Sequence, residues 1–567
     1  MGKRLSSGFC AGISKPEIIV GFSPVAHTYQ RMQPADDRRP SQFEHIQNKP
    51  AFWAIAIAVS FFVFNLAQIG RYGLSFDEPN GMERGRETVA LVAGTIWPAS
   101  GRESDETFDF LHIHPSFYAS CNYGASMALT KWFGWNPIPA GHFLNLLTAS
   151  AGLIALFYLG KLLFNSTVGL VAEIFMVFFP RFIANAHYNE KDVPVMVFGT
   201  LALLLLIVAT RKGQIRYWIL AALGVAVAVT TKLDGLFVLP IFLVPWLAKS
   251  LWSNNRLADI RNLGWFLGAT SVFIYMLWPE LWTNPLHLFH SVSSFAEGWS
   301  GEPPIKFPYL NHSYAVNQFP WHYDVMQFIA VTPLILLLSA AAGMALSLRT
   351  VLLRRDLFVH GLLWCWILFP VVPRMLPGVV KYDGMRHIFL ITPAVAIMAG
   401  LAVEQLIARL RTWPGYKLAA PIAFCGVIVW SGWQVFECHP YEGFYLNEAV
   451  RAVVPGPKLS HYFDFYGWGS PYTQGVDWVN AHAPFHASVA TRQFPFLLTY
   501  EGLREDLETS TEDDSADYLL GTWNGAAPAG FHNPPAFCLR CYGANILCVY
   551  EQKAAAPLAI GNVPAKP

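Results

Sequence analysis

About eleven stretches of this chain are apolar over close to the 20 residues that a helix needs to cross a bilayer. They run near 51–69, 141–161, 168–186, 193–210, 217–232, 235–248, 264–280, 324–347, 357–376, 387–407 and 418–436. A bilayer core offers no water to backbone groups, so segments of this kind satisfy themselves as helices packed side by side. Composition points the same way. Charged residues make up 14% of the 567, against about 25% in an average soluble domain. The apolar share is 54%, with 20 Trp and 42 Phe, more than a soluble protein of this size can hide from water. The formal net charge of +1 gives no reason to invoke nucleic acid. Eight Cys are too few for a disulfide-built scaffold. The expectation is a polytopic α-helical membrane protein.

The stretch 115–133 is helix-like but rich in Ser, Tyr, Asn and Cys. If it lies along the membrane rather than across it, five short loops share one side. They hold about thirteen basic residues with few acids, the pattern of cytoplasmic loops. Lys161, Arg211, Arg216, Lys249, Arg349 and Arg409 are among them. So 115–133 is expected as a juxtamembrane helix inside a long external loop, 70–140, with a second external loop at 281–323. Residues 1–50 lack the apolar core of a cleavable signal peptide and are expected as a cytoplasmic tail. Residues 51–436 form the membrane domain. Residues 437–567 carry seven basic and fourteen acidic residues and are expected as an extracytoplasmic domain. Its pattern predicts helices near Gly475–Asn480 and Gly502–Leu507 and strands near Ala487–Thr491, Ala516–Leu520 and Asn545–Tyr550, a small α/β unit.

Ionisable groups at membrane depth are costly, so their placement is informative. In this topology acids gather at the outer surface: Asp77, Glu78, Glu190, Asp192, Asp234, Glu280 and Asp383. The cations Arg181, Lys232, Arg374, Lys381 and Arg386 share that level. Such a ring suits a phosphate held at headgroup height beside a carboxylate base. Asp77-Glu78 reads either as a general base that takes a proton from an acceptor hydroxyl or as a solvated acid pair before Pro79. Asn189-Glu190-Lys191-Asp192 reads either as a group that orients base and acceptor or as a polar interhelical loop. Arg386-His387, with Lys381 nearby, can grip phosphate oxygens through the planar guanidinium or snorkel at the interface. His112 and His114 form a weak His-x-His metal pair, with His114 more at home positioning substrate. A divalent metal is left open on that basis. Aromatic residues in the 281–323 loop suit either sugar stacking or an interface belt. Cys438, Cys538, Cys541 and Cys548 are disulfide candidates, since an external compartment is oxidising. Four Cys allow three pairings, and the sequence does not choose among them.

The order of these motifs resembles the protein O-mannosyltransferase and aminoarabinose transferase superfamily of GT-C glycosyltransferases, most of all bacterial members grouped with glycosyltransferase family 39. The passages that carry the likeness are SFDEPNGMERGRE, HIHPSFY, FFPRFIANAHYNEKDVPVMVF, TTKLDGLFVLP, YDGMRHIFLITP and HPYEGFYLNEAV, followed by HYFDFYGWGSPYTQGVDWVNAHAP. Together they span roughly 50–500. Where the family often has His-Pro-Pro, this chain has His114-Pro115-Ser116. The 281–323 loop is too short for the β-trefoil of eukaryotic protein mannosyltransferases. The resemblance implies a GT-C fold and an inverting transfer of a sugar from a polyprenyl-phosphate carrier to an extracytoplasmic protein, lipid or glycan hydroxyl. It implies Asp77 as the catalytic base, Glu78 as its neighbour, and Asp192 as the acid after the third helix. His114 and Arg386 match family positions as substrate-binding residues, and the charge placement read above adds Glu190, Lys232, Lys381 and His387 to them. The resemblance also implies a bacterial inner membrane, with membrane lipids around the chain and the C-terminal domain outside. The rival readings are a transporter, against which the absence of a visible internal repeat and the edge-level acids speak, and a non-catalytic protein that keeps the fold.

Overall fold

The computed structural model describes residues 42–96, 114–251, 256–297, 306–465, 470–491, 496–510, 516–521 and 528–552. The chain divides into two units, residues 1–48 and 49–567. Of the first, only the helical residues 42–48 are described. The expected tail, 1–50, therefore lies almost wholly outside the described residues, as does His112.

Helices dominate. The first half runs α1 (Gln42–Gln68), α2 (Glu78–Ile96), α3 (Phe117–Phe133), α4 (Pro137–Leu163), α5 (Ser166–Val177), α6 (Pro180–Tyr188), α7 (Asp192–Lys212) and α8 (Ile215–Thr231). There follow α9 (Val238–Ser250), α10 (Arg256–Leu277), α11 (Glu280–Thr283), α12 (His287–Glu297) and a hairpin of β1 (Lys306–Tyr309) and β2 (His312–Ala315). Then come α13 (Tyr323–Val331), α14 (Leu334–Leu352), α15 (Leu357–Arg374), α16 (Thr392–Leu410) and α17 (Tyr416–Phe436).

Among the described residues, eight helices are long and apolar enough to cross a membrane. They are Lys49–Arg71, Pro137–Leu163, Asp192–Lys212, Leu233–Ser250, Leu334–Leu352, Leu357–Arg374, Arg386–Leu410 and Tyr416–Phe436. A ninth is possible if α5 and α6 act together, though they bend by 69° at Phe178-Phe179. All eleven apolar stretches are helical, but on length and apolarity eight or nine of them reach a span's dimensions. The helix α8 has 17 residues, or about 26 Å at 1.5 Å per residue, short of a hydrocarbon core of about 30 Å. In α10, Arg256, Asp259 and Arg261 occupy the first two turns and shorten its apolar run. The protein is an integral membrane protein of polytopic α-helical class, as composition required. The stretch 115–133 holds α3, whose Gly134 ends it with a left-handed φ of 69°, as helix C-termini often require.

The helix α2 was not foreseen. Its start is set by Ser75 and Glu78: the Ser75 N–H donates to Glu78 Oε2 at 2.6 Å, the reach-back half of a capping box. This sets Asp77 at the mouth of a helix N-terminus, where the helix dipole favours a carboxylate.

The C-terminal region builds a five-stranded sheet in the order β4-β3-β5-β7-β6, with β3 (Ser488–Thr491), β4 (Glu508–Ser510), β5 (Tyr518–Gly521), β6 (Phe537–Cys541) and β7 (Ala544–Glu551). β3 pairs in parallel with both β4 and β5, while β7 runs antiparallel to β5 and β6. One further helix, Tyr472–His482, covers it, packing Val476 and Val479 onto Leu520 and Leu547. The helix expected near Gly502–Leu507 is instead a turn. Gly502 takes φ 81°, and Asn480 Oδ1 accepts the Arg504 N–H at 2.8 Å, a tertiary contact that local pattern does not carry. The true helix lies just upstream, at Phe496–Tyr500.

This region reaches the loop before α2. Glu501 accepts the Leu74 N–H at 2.6 Å and the Thr473 hydroxyl at 2.8 Å. At Gly73 a Cβ would overlap Thr473 and the Ser470 carbonyl, so this approach requires glycine.

Candidate active site

Asp77 ends the loop between α1 and α2, and its partners come from far along the chain. Arg386 is central. Its Nη2 donates to Asp77 Oδ2 at 2.7 Å, its Nη1 to Asp383 Oδ2 at 2.8 Å, and its Nε to Asp192 Oδ2 at 3.3 Å. One planar guanidinium thus holds three carboxylates, each on a different nitrogen of its rigid fork. Asp192 also receives Lys232 Nζ at 2.6 Å, and the same Nζ meets Asp234 Oδ2 at 2.6 Å. Lys191 Nζ lies 3.8 Å from Asp77.

Local structure aims these groups. Asn189 Oδ1 accepts the Asp192 N–H at 2.8 Å, and Asn189 Nδ2 donates to Asp192 Oδ2 at 2.9 Å. The carboxylate is thereby fixed at the first turn of α7. Asp383 and Gly384 take positive φ of 53° and 65°, a turn that folds Asp383 back onto Arg386. A Cβ on Gly384 would crowd Asp464, whose backbone carbonyl and carboxylate accept from Arg181 at 2.9 and 3.3 Å. Arg181, Asn185, Tyr188, Asp383 and Arg386 line a small cleft there.

Exposure separates these groups. The Asp77 side chain is 22% exposed, that of Asp192 only 1%. Burial would raise the Asp77 carboxyl, but the Lys191 and Arg386 charges and the Arg386 hydrogen bond outweigh it and hold it well below the usual carboxylate range. Asp383 goes the other way: burial raises it to about 7, beyond what Arg386 recovers.

A second group adjoins this network. Glu190 is buried beneath α2, pressed where a Cβ on Gly81 would stand. Burial raises its carboxyl to about 7 despite Lys191 and Arg84. Arg84 is also buried, which lowers its guanidinium, with Glu190 and Glu280 opposing. Glu280 Oε1 accepts from Ser116 at 2.8 Å and Thr88 at 3.3 Å. Among the described residues, both Glu190 oxygens, Glu280 Oε2 and Arg84 Nε make no hydrogen bond. His114 lies close to Lys191, Arg84, Lys232 and Arg386; burial first, and those cations second, hold its imidazole well below the usual His range. It is therefore neutral at pH 7.

The residues singled out in the sequence part company here. Asp77, Asp192, Lys232 and Arg386 form one network, with Glu190 and His114 beside it. Glu78 turns away: its Oε1 meets His142 Nε2 at 2.9 Å while Oε2 caps α2. Lys381 faces Asp324 and Arg374 instead, with its Nζ on the Val379 carbonyl at 3.3 Å. The His387 ring stands edge-on to Tyr382 at 4.8 Å. Asp234 and Asp383, named in the sequence only as members of the outer ring, and Lys191, named only within the Asn189–Asp192 motif, also take part, and so do Arg84 and Asp464, which the sequence reading does not single out. Asp383 had a signal in its i,i+3 spacing to Arg386; Asp464 had none. Among the described residues, no three His, Cys, Asp or Glu are grouped to hold a metal ion. The only disulfide among the described residues is Cys538–Cys548, with Cys438 and Cys541 as thiols.

Fold and site together define a polytopic helical membrane protein with a buried, cation-bridged cluster of carboxylates where four segments converge. Residues 128–282 match the family described as dolichyl-phosphate-mannose-protein mannosyltransferase, so the resemblance read from the motifs holds in that stretch. It includes Asp192 and Lys232 but neither Asp77 nor Arg386. An uncharacterized protein of Aquifex aeolicus (strain VF5) is 26% identical over 270 residues, 47% of this chain and 49% of its own. The match thus spans about half the length of that relative. Among solved structures, the apo oligosaccharyltransferase of Archaeoglobus fulgidus is similar at TM-score 0.49 and 13% identity, over 85% of this chain and 70% of its own. ArnT from Cupriavidus metallidurans bound to undecaprenyl phosphate is similar at TM-score 0.48 and 14% identity, over 88% and 98%. Likeness at that level says nothing about the chemistry of this chain, which rests on its own residues.

Proposed function

We propose that the protein is a GT-C-type glycosyltransferase that moves a sugar from a polyprenyl-phosphate carrier to an acceptor hydroxyl outside the cytoplasm, with inversion. The observation that carries this reading is Arg386 bridging Asp77, Asp192 and Asp383, next to Lys232 and Lys191. Such a cluster supplies cations for a phosphate and a partly exposed carboxylate beside them. The phosphate leaving group is already anionic and needs positive charge more than a proton.

Asp77 clamped by two cations is a weak base. An incoming phosphodiester competes for Arg386 and Lys191, and each cation it draws off lets the Asp77 carboxyl rise. Donor binding thereby switches on the base, which takes the proton of the acceptor hydroxyl as its oxygen attacks the anomeric carbon from the face opposite the phosphate. Glu190 supports a second assignment of the base, since its carboxyl sits at about 7, near the optimum for proton transfer at neutral pH. The carrier's tail lies in lipid or between helices, and the acceptor is a protein, lipid or glycan. The N-terminus lies in the cytoplasm of a bacterial inner membrane, and 437–567 lies outside.

The test is sugar release in nanodiscs from a panel of labelled polyprenyl-phosphate monosaccharides, with a membrane and cell-wall extract as acceptor. Transfer from one carrier that Asp77→Asn abolishes supports Asp77. Transfer retained in Asp77→Asn and lost in Glu190→Gln moves the base to Glu190. No carrier consumed and none bound sinks the glycosyltransferase reading.

A further inference from the structure

Cys438 and Cys541 are far apart in sequence and adjacent in space. Cys438 follows α17, the last candidate span, and Cys541 closes β6. Both are buried in the same apolar cluster, 2% and 4% exposed. The Cys438 thiol donates to the Tyr441 carbonyl at 3.2 Å, Cys541 is the side chain that acts on that thiol from the sheet, and the rings of Tyr445 and Tyr542, which follow the two cysteines, lie 6.4 Å apart. The surrounding packing is tight. A Cβ on Gly456 would overlap the Tyr542 carbonyl, and the Arg451 guanidinium lies 4.3 Å from the Tyr542 ring centroid and 5.9 Å from that of Tyr445. Cys538 and Cys548 already pair across β6 and β7, so they do not compete for these two thiols.

The same loop reaches the site. Glu442 accepts the Tyr72 hydroxyl at 2.9 Å and meets His439 Nδ1 at 2.7 Å. The Tyr72 ring stacks on His187 at 3.6 Å, one short loop upstream of Asp77.

We propose that Cys438 and Cys541 form a second disulfide in the membrane-resident protein, a covalent staple between the end of the last span and the C-terminal sheet. It rests on the reading that this region faces an oxidising compartment outside the cytoplasm. One cysteine thiolate attacks the S–S bond of an oxidised dithiol protein or a small-molecule disulfide, forming a mixed disulfide and expelling one thiolate. The second cysteine thiolate then displaces the other sulfur. Two thiols lose two protons and two electrons, and the oxidant's disulfide becomes two thiols. The staple closes a long loop, which restricts the unfolded chain most when the loop is long. It also pins the segment through which Glu442 holds Tyr72. Two buried thiols that serve only as small apolar groups are the plain alternative.

The test uses the full-length protein denatured straight from its own membrane in N-ethylmaleimide, without reductant. Trypsin cuts after Arg540 and chymotrypsin after Tyr542, which separates Cys538, Cys541 and Cys548. The expected result is an unlabelled Cys438–Cys541 peptide pair that comes apart on reduction, beside a Cys538–Cys548 pair and labelled Cys365 and Cys425. In Cys438→Ser, Cys541 becomes labelled while Cys538–Cys548 stays linked. Labelled Cys438 and Cys541 beside an intact Cys538–Cys548 link overturns the staple alone. Label on all four overturns the outward placement and the staple together.

Discussion

The two groups of acids beside α2 are built oppositely. Around Arg386, carboxylates and cations meet at 2.6–3.3 Å. Around Glu190, Arg84 and Glu280, equally buried atoms lack hydrogen bonds among the described residues. A buried unpaired polar atom is expensive, and one that persists points to a site that completes itself with water or ligand. The paired group therefore holds the architecture and the charge. The Glu190 group keeps unused hydrogen-bonding capacity at both Glu190 oxygens, Glu280 Oε2 and Arg84 Nε among the described residues.

The sharpest way to break this contrast is Asp77→Asn. Its turnover should fall by about 10²–10⁴, the usual worth of general-base help, with a smaller fall in the thermal midpoint in detergent, because Arg386 keeps Asp192 and Asp383 as partners. Retained turnover removes Asp77 from the chemistry. Next comes Lys232→Met, which takes the cation from Asp234 and leaves Asp192 to Arg386 and Asn189 alone. Removing one partner of a buried pair costs about 3–5 kcal/mol, so denaturant unfolding should shift strongly. Lys381→Met, outside the network, should shift it far less. Equal shifts would show that the two lysines do equivalent structural work.

Glu190→Gln should act on pH dependence instead. The Glu190 carboxyl is raised in the folded state to about 7. The stability it contributes is complete below about pH 4.5, its unfolded value, and is lost as pH rises towards 7. The glutamine variant should flatten stability across that window and, if Glu190 is the base, remove the corresponding limb from the turnover profile. The smallest effect is expected from Glu501→Gln at the Leu74 contact. Its carboxyl is also raised to about 7 by burial, against its hydrogen bonds from Leu74 and Thr473. Thermal unfolding should lose part of its dependence between about pH 4.5 and 7, with turnover little changed. A large loss of turnover would instead show that this contact sets the position of Asp77.

Much of this was legible before any coordinates. All eleven apolar runs fall on helices, because backbone groups in lipid can pair only within their own segment. The weakness of that signal shows at α8 and α10, where apolarity is clear and length or terminal charge decides. Asp77, Asp192, Lys232 and Arg386 stood out because charge near an apolar run is costly and needs a reason. Local spacing also encoded the Asn189–Asp192 brace and the Ser75–Glu78 cap, which is why Glu78 faces away from its neighbour Asp77.

What sequence could not rank was which charges share a partner. Lys381 and Arg386 look alike along the chain, yet the first rests on the Val379 carbonyl outside the network and the second pairs with Asp77. Asp464 enters from beyond the last span with no local mark. By itself the sequence determined the membrane class, most helix positions and the residue types at the site, because hydrophobic length, helix capping and charge cost are local quantities. Only the tertiary structure decided that one guanidinium serves three carboxylates, that Glu190 is buried without a hydrogen bond among the described residues, and that Cys438 meets Cys541. Those pairings depend on how distant segments pack, and ion-pair and thiol contacts act only over a few ångströms.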